Sequence, residues 1–138
     1  MQQVMVTGGV GSVGRAVIAR LLATRPEVER IVVYSRDEHK QGDMAQDLAA
    51  HADRLEFIIG DVKDQGHLKR SLRGIDTVVH TAAMRLVPHA EANPVECLRT
   101  NVEGAMSLAG AVADSHVRKV VAISSDKAVA PSTIYGAS

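Results

Sequence analysis

The 138-residue chain carries 16 acidic and 16 basic residues, and 46% of it is hydrophobic. This length predicts a single domain that buries about 68% of its unfolded surface, a core that needs no covalent staples. The balanced charge gives no field for nucleic acid or an anionic membrane, and no apolar run approaches the ~20 residues that span a bilayer.

A β-branched run at 3–7 enters the stretch TGGVGSVG, and helical periodicity begins at Val13. Val13, Ala16, Val17, Leu21 and Leu22 form the apolar stripe of the first helix, which Pro26 stops. A second strand is predicted at 30–35. Asp37 then caps a helix that carries Met44 and Leu48 on one side. A third strand at 55–60 leads to a helix over 64–72, with Leu68 and Leu72 inward and Gly74 at its end. The fourth strand is read at 76–82. Asn93 and Pro94 then read as N-cap and first position of the longest helix, 94–113. Its Val95, Leu98, Val102, Ala105, Ala109 and Val112 are expected to face the core, with Met106 and Leu108 on a flank open to a partner helix. A fifth strand is predicted at 119–125. Alternating strands and helices, with strands apolar on both faces, predict a Rossmann-like α/β domain. Its doubly wound parallel sheet has strand order 3-2-1-4-5 and helices on both faces. The single cysteine, Cys97, reads as a buried reduced thiol. The start, MQQVMVTGG, lacks the features of a signal peptide, so a cytoplasmic protein is expected.

The glycine loop has the context a dinucleotide requires: it follows a strand and opens a helix. Gly8 permits the tight turn, Gly11 lets the backbone approach a pyrophosphate, and Gly14 lets helix and strand pack closely. The helix N-terminus then faces the anion. At the end of the second strand, Arg36 stands where a 2′-phosphate would lie. Ser35 and Lys40 are further donors, so NADP is favoured, with NAD as the alternative. Asp61 is placed either to accept from an adenine amino group or to cap the helix at 64–72. Ala82 and Ala83 supply small side chains where the backbone must pass close to the cofactor. His80 reads as a packed, hydrogen-bonded residue. No metal-ligand pattern is read.

The stretches TGGVGSVG, YSRDEHKQGDMAQ, IGDVKD, HTAAMRLVPHAEANP, TNVEGA and SSDKAVAPSTIYGAS, in that order, resemble the extended short-chain dehydrogenase/reductase superfamily. More narrowly they resemble the inverting UDP-N-acetylglucosamine 4,6-dehydratases and related bacterial polysaccharide-biosynthesis proteins. The resemblance implies that Thr7, Ser12, Val13, Val62 and Asn101 join the cofactor-binding residues named above, and that Arg85 meets a UDP-sugar substrate. It implies a catalytic set of Ser125, Asp126, Lys127 and Tyr135. Tyr135 would take the proton of the sugar C4 hydroxyl while hydride leaves C4. Lys127 would then remove the C5 proton, and Asp126 would protonate the departing C6 hydroxyl; the last two roles are exchangeable. Ser125, where Thr is common, would hydrogen-bond the C4 oxygen. The lysine that follows the family tyrosine by four would be residue 139. Residues 1–138 are therefore expected to be the NADP-binding domain of a longer, homo-oligomeric protein. Ala130 stands where Asn often precedes the proline. A UDP-sugar 4-epimerase or reductase, and a non-catalytic NADP-binding module, remain as alternatives.

Overall fold

The computed structural model describes residues 2–138. Five strands, β1 (Gln2–Thr7), β2 (Val28–Ser35), β3 (Leu55–Ile59), β4 (Thr77–His80) and β5 (Lys119–Ala122), form one parallel sheet in the order β3-β2-β1-β4-β5. This is the predicted topology. The fourth and fifth strands stop earlier than predicted, because the chain leaves the sheet at His80 and Ala122 and continues as loops at the carboxyl edge. That edge, beside the crossover point at β1, is where ligands bind in such sheets.

Side-chain alternation divides the core between the two faces. On one face Val4, Val6, Ile31 and Val33 pack with Ile18 and Leu22 of α1 (Ser12–Thr24) and Met44 of α2 (Glu38–Asp47). On the other, Met5, Val32, Tyr34 and Val78 pack with Leu68 of α3 (Gln65–Ser71) and Leu108 and Ala111 of a later helix, Gly104–Ala113. The central strands β1 and β2 are buried on both faces, which is why they read as continuous apolar runs.

Two helices present a different face from the one their apolar stripes predicted. In α1 the buried line is Gly14, Ile18 and Leu22, with the predicted Val17 and Leu21 packed beside it, whereas Val13 and Ala16 are exposed. The cause is Gly14: a Cβ there would sit 2.6 Å from the Gly8 carbonyl oxygen, so this position must face the turn, and the rotation of the helix follows. The predicted long helix is broken. A short α4 (Val87–Ala92), not anticipated, precedes α5 (Pro94–Leu98), a π turn (Arg99–Glu103) and α6 (Gly104–Ala113). Cys97, Thr100, Gly104, Leu108 and Ala111 face inward. The expected core residues Val95, Leu98, Val102, Ala105 and Ala109 lie on the solvent side with Met106. Close packing decides this as well. A Cβ at Gly104 would lie 2.9 Å from Val62 Cγ2, so Gly104 packs inward against Val62 and the helix turns Val102 and Met106 outward. Asn93 holds the N-cap position of α5, but its amide donates back to the His89 carbonyl instead of capping. No helix among the described residues is long and apolar enough to cross a membrane.

Candidate active site

The carboxyl edge holds a cleft of about 300 Å³ between the glycine loop, the ends of β2 and β3, and the loop after β4. Gly8 has φ +66°, and a Cβ on it would come within 2.7 Å of the Ala82 backbone. Only a glycine lets the turn lie this close to the end of β4. Gly11 differs. Its φ is −73°, its amide donates to the Gly8 carbonyl at 2.9 Å, and a Cβ on it would meet only that oxygen, at 3.2 Å. Gly11 is therefore open to the cleft, and packing alone does not require a glycine there. The first turn of α1 has no side-chain cap, so its amides are free to meet an anion.

Gly8, Gly11, Ser12, Val13, Gly14, Ser35, Arg36, Lys40, Val62, Ala82 and Ala83 all line this cleft. Three other predicted residues lie outside its lining. Thr7 is buried, with its hydroxyl 2.7 Å from His80 Nδ1. His80 is thus a packed partner, and burial holds its imidazole below its ordinary pKa. Asn101 brackets the loop after β4. Its Oδ1 accepts from the Met84 amide at 2.8 Å and its Nδ2 donates to the Met84 carbonyl at 3.2 Å. The π turn carries Asn101, a placement common at functional sites. Asp61 stands at the rim and accepts from the Lys63 amide at 2.9 Å. It does not cap the following helix; Asp64 does, accepting from the His67 amide at 2.8 Å.

At the β2 end, Asp37 caps α2 and pairs with Lys40 at 3.2 Å, and these hydrogen bonds hold its carboxyl below the usual range. The Arg36 guanidinium lies 3.8 Å from Asp61 and 3.7 Å from Glu96. Beneath it, buried Tyr34 donates to the Asp61 carbonyl at 3.0 Å, and burial pushes its phenol up to about 12. A Cβ at Gly60 would collide with the Tyr34 hydroxyl. Gln41, not singled out from sequence, is buried here. Its amide donates to the Ser35 and Ile58 carbonyls at 3.2 and 2.9 Å, tying the ends of β2 and β3 together.

The four predicted catalytic residues follow β5, on two short elements packed against each other. Asp126–Ala128 forms a single 3-10 turn, capped by Ser125 Oγ, which accepts from the Lys127 amide at 3.2 Å. Lys127 Nζ lies 3.4 Å from Asp126 Oδ2. A four-residue helix, α7 (Ile134–Ala137), carries Tyr135. Its neighbour Gly136 packs on the Lys127 carbonyl, where a Cβ would collide, so glycine is what brings the tyrosine helix onto the Asp-Lys turn. Thr133 caps α7, and the Glu91 carboxylate, another residue missed in the sequence, accepts from the Ile134 amide at 2.8 Å. Asn101 Nδ2 also donates to Ser138 Oγ at 2.8 Å, which links α7 to the Met84 bracket. The Asp-Lys pair is solvent-exposed, and Lys127 holds the Asp126 carboxyl below its ordinary pKa. Arg85, expected to meet the sugar substrate, lines the same cleft, and its guanidinium donates to Ser12 Oγ at 2.7 Å. Ala130, between the turn and α7, has φ +47°.

Residues 4–138 match the family described as polysaccharide biosynthesis protein. The chain belongs to that family. Among its relatives, the inverting UDP-N-acetylglucosamine 4,6-dehydratase of Campylobacter jejuni subsp. jejuni serotype O:2 is 40% identical over 136 residues, covering 99% of this chain and 40% of that protein. The UDP-glucose 4-epimerase of Rickettsia akari is 41% identical over 136 residues, covering 97% of this chain and 39% of that protein. A double mutant of DesIV, a dTDP-glucose 4,6-dehydratase from Streptomyces venezuelae solved with NAD bound, has a TM-score of 0.89 and 27% identity. That match covers 99% of this chain and 48% of DesIV. The chain thus spans about 40% of the length of the curated relatives it matches. Family and fold are those the sequence motifs resembled.

Proposed function

We propose that this chain is the nucleotide-binding part of an NADP-dependent UDP-N-acetylglucosamine 4,6-dehydratase. The observation that carries this reading is the Ser125-Asp126-Lys127 turn packed through Gly136 against the Tyr135 helix. Sugar oxidation needs only the tyrosine. An acid–base pair beside it serves an elimination. The identity to the Campylobacter dehydratase supports the same reading.

The cleft fits a nicotinamide dinucleotide, since Gly11 leaves space that a side chain would take up and the first-turn amides of α1 carry no side-chain cap. Gly11 to Gly14 would hold the pyrophosphate. Ser35, Arg36 and Lys40 would hold the 2′-phosphate of NADP. When bound, the cofactor would supply the hydride acceptor for sugar C4 and the hydride donor for C6. Tyr135 takes the proton of the C4 hydroxyl as the ketone forms. The C4 ketone acidifies the C5 proton, which Lys127 removes. The C6 hydroxyl leaves as water with a proton from Asp126. A proton then returns to C5, so the sugar loses one water and the cofactor is unchanged. Lys127 must start neutral and Asp126 protonated, the opposite of the exposed ion pair. A sugar that covers the turn excludes water and favours this neutral pair, because desolvation penalises both charges. Ser125 holds the C4 oxygen. Such a substrate is in keeping with a cytoplasmic protein, and the exposed apolar face of Val95, Leu98, Val102 and Met106 supports its covering by a second copy.

The test is a chimera: residues 1–138 joined to the C-terminal 60% of the Campylobacter dehydratase and incubated with UDP-N-acetylglucosamine. Release of one water, giving a 4-keto-6-deoxy nucleotide sugar, is the expected result. A folded, NADPH-binding chimera that leaves the substrate mass unchanged contradicts the proposal. The Rickettsia relative keeps the epimerase reading open. Epimerisation without water loss, unaffected by Lys127→Ala, would establish it instead.

A further inference from the structure

We infer that Lys63 sets the preference for NADP over NAD without touching the cofactor, by releasing Arg36 from two carboxylates. The inference rests on the reading of Arg36 as the 2′-phosphate ligand. Three cations and three anions crowd the adenosine end of the cleft: Arg36, Lys40 and Lys63 against Asp37, Asp61 and Glu96. Lys40 and Asp37 satisfy each other. Arg36 is shared between Asp61 at 3.8 Å and Glu96 at 3.7 Å, both beyond hydrogen-bond length. Lys63 holds the same two carboxylates more closely, Glu96 at 2.6 Å and Asp61 at 3.6 Å. Thr100 adds a hydroxyl to Glu96 at 3.2 Å.

An arriving 2′-phosphate must take the guanidinium from both carboxylates. With Lys63 present, neither is left without a cation, so Arg36 turns to the phosphate at little cost. Without Lys63, Arg36 is the remaining cation within reach of Asp61 and Glu96, and the phosphate must compete for it. Lys63 does not line the cleft, so a direct bond to the cofactor does not explain such an effect. The lowered pKa of Glu96, caused first by Lys63, agrees with this division of partners.

Calorimetric titration of the chain with NADPH and with NADH tests the inference. Lys63→Gln is expected to weaken NADPH about threefold, the scale of one partly exposed ion pair, and to leave NADH unchanged. Lys63→Arg keeps the wild-type ratio. Adding Glu96→Gln to Lys63→Gln removes the competing carboxylate and restores most of the NADPH affinity. If Lys63→Gln weakens both cofactors alike, its role is structural and the inference fails. An unchanged ratio also overturns it. A wild-type chain that binds both cofactors equally, or an Arg36→Gln variant with the wild-type ratio, overturns the 2′-phosphate reading itself and the inference with it.

Discussion

Replacing Gly11 by alanine separates what the fold needs from what the ligand needs. Its φ of −73° is open to any residue, and the added Cβ meets only the Gly8 carbonyl, at 3.2 Å, so a shift of a few tenths of an ångström accommodates it. Alanine also restricts the unfolded chain, a gain of about 0.4–1 kcal/mol that offsets the mild crowding. The stability change is therefore expected to stay within about 1 kcal/mol, roughly 4 °C in melting temperature for a domain of this size. Gly14→Ala is the contrast. Its Cβ would fall 2.6 Å from both the Gly8 oxygen and the Gly9 Cα, which are backbone atoms that cannot rotate away. Overpacking of that kind costs about 1–3 kcal/mol. Thermal melts of both variants and calorimetry with NADPH are the assays. Gly11→Ala should melt like wild type and bind at least tenfold more weakly, since the methyl occupies the approach to the pyrophosphate and about 1.4 kcal/mol suffices for that factor. A Gly11→Ala chain that binds NADPH normally refutes the pyrophosphate assignment. One that melts as low as Gly14→Ala refutes the packing argument.

Three further outcomes follow from local geometry. Ala130 sits at φ +47°, so Ala130→Gly should stabilise the chain by roughly 1 kcal/mol in urea unfolding, and Asn should do so by less. Arg54 donates to the carbonyls of Leu22, Arg25 and Val28, joining the end of α1 to the start of β2. Arg54→Ala should cost about 1–2 kcal/mol, and Lys should not restore it, because one ammonium cannot span that fork. The Tyr34 phenol is raised from 10.0 to about 12. The folded state therefore keeps its proton where the unfolded state releases it. This contribution to stability is complete below pH 10.0 and is lost as the pH rises toward about 12. Alkaline difference absorbance should show that late transition, and Tyr34→Phe should remove it.

The sheet was readable because its central strands are apolar on both faces, and strand order follows from right-handed crossovers between them. The glycine loop was readable because each glycine has a separate steric reason at its spacing. Helix orientation was not. Counting apolar residues pointed Val13 and Val102 inward, whereas Gly14 and Gly104 decide the rotation by needing contact with backbone or with Val62. The apolar face thereby left outside on α5 and α6 is a surface that sequence periodicity assigned to the core. Supports of the site were also hidden, because their partners are distant in the chain. Asn101 reaches Met84, 17 residues away, and Glu91 reaches Ile134, 43 residues away, and neither spacing leaves a periodic signal. The Asp126-Lys127 pair was legible as a motif, but not its exposure, which depends on what lies over the turn.

The measurement that tests the dehydratase reading most directly is the mass of the product when the chimera turns over UDP-N-acetylglucosamine in deuterium oxide. The account predicts loss of one water and gain of one deuterium at C5, with neither in Lys127→Ala, since Lys127 carries the C5 proton and exchanges it with solvent. A product of unchanged mass, or a Lys127→Ala chimera that still eliminates water, would contradict it.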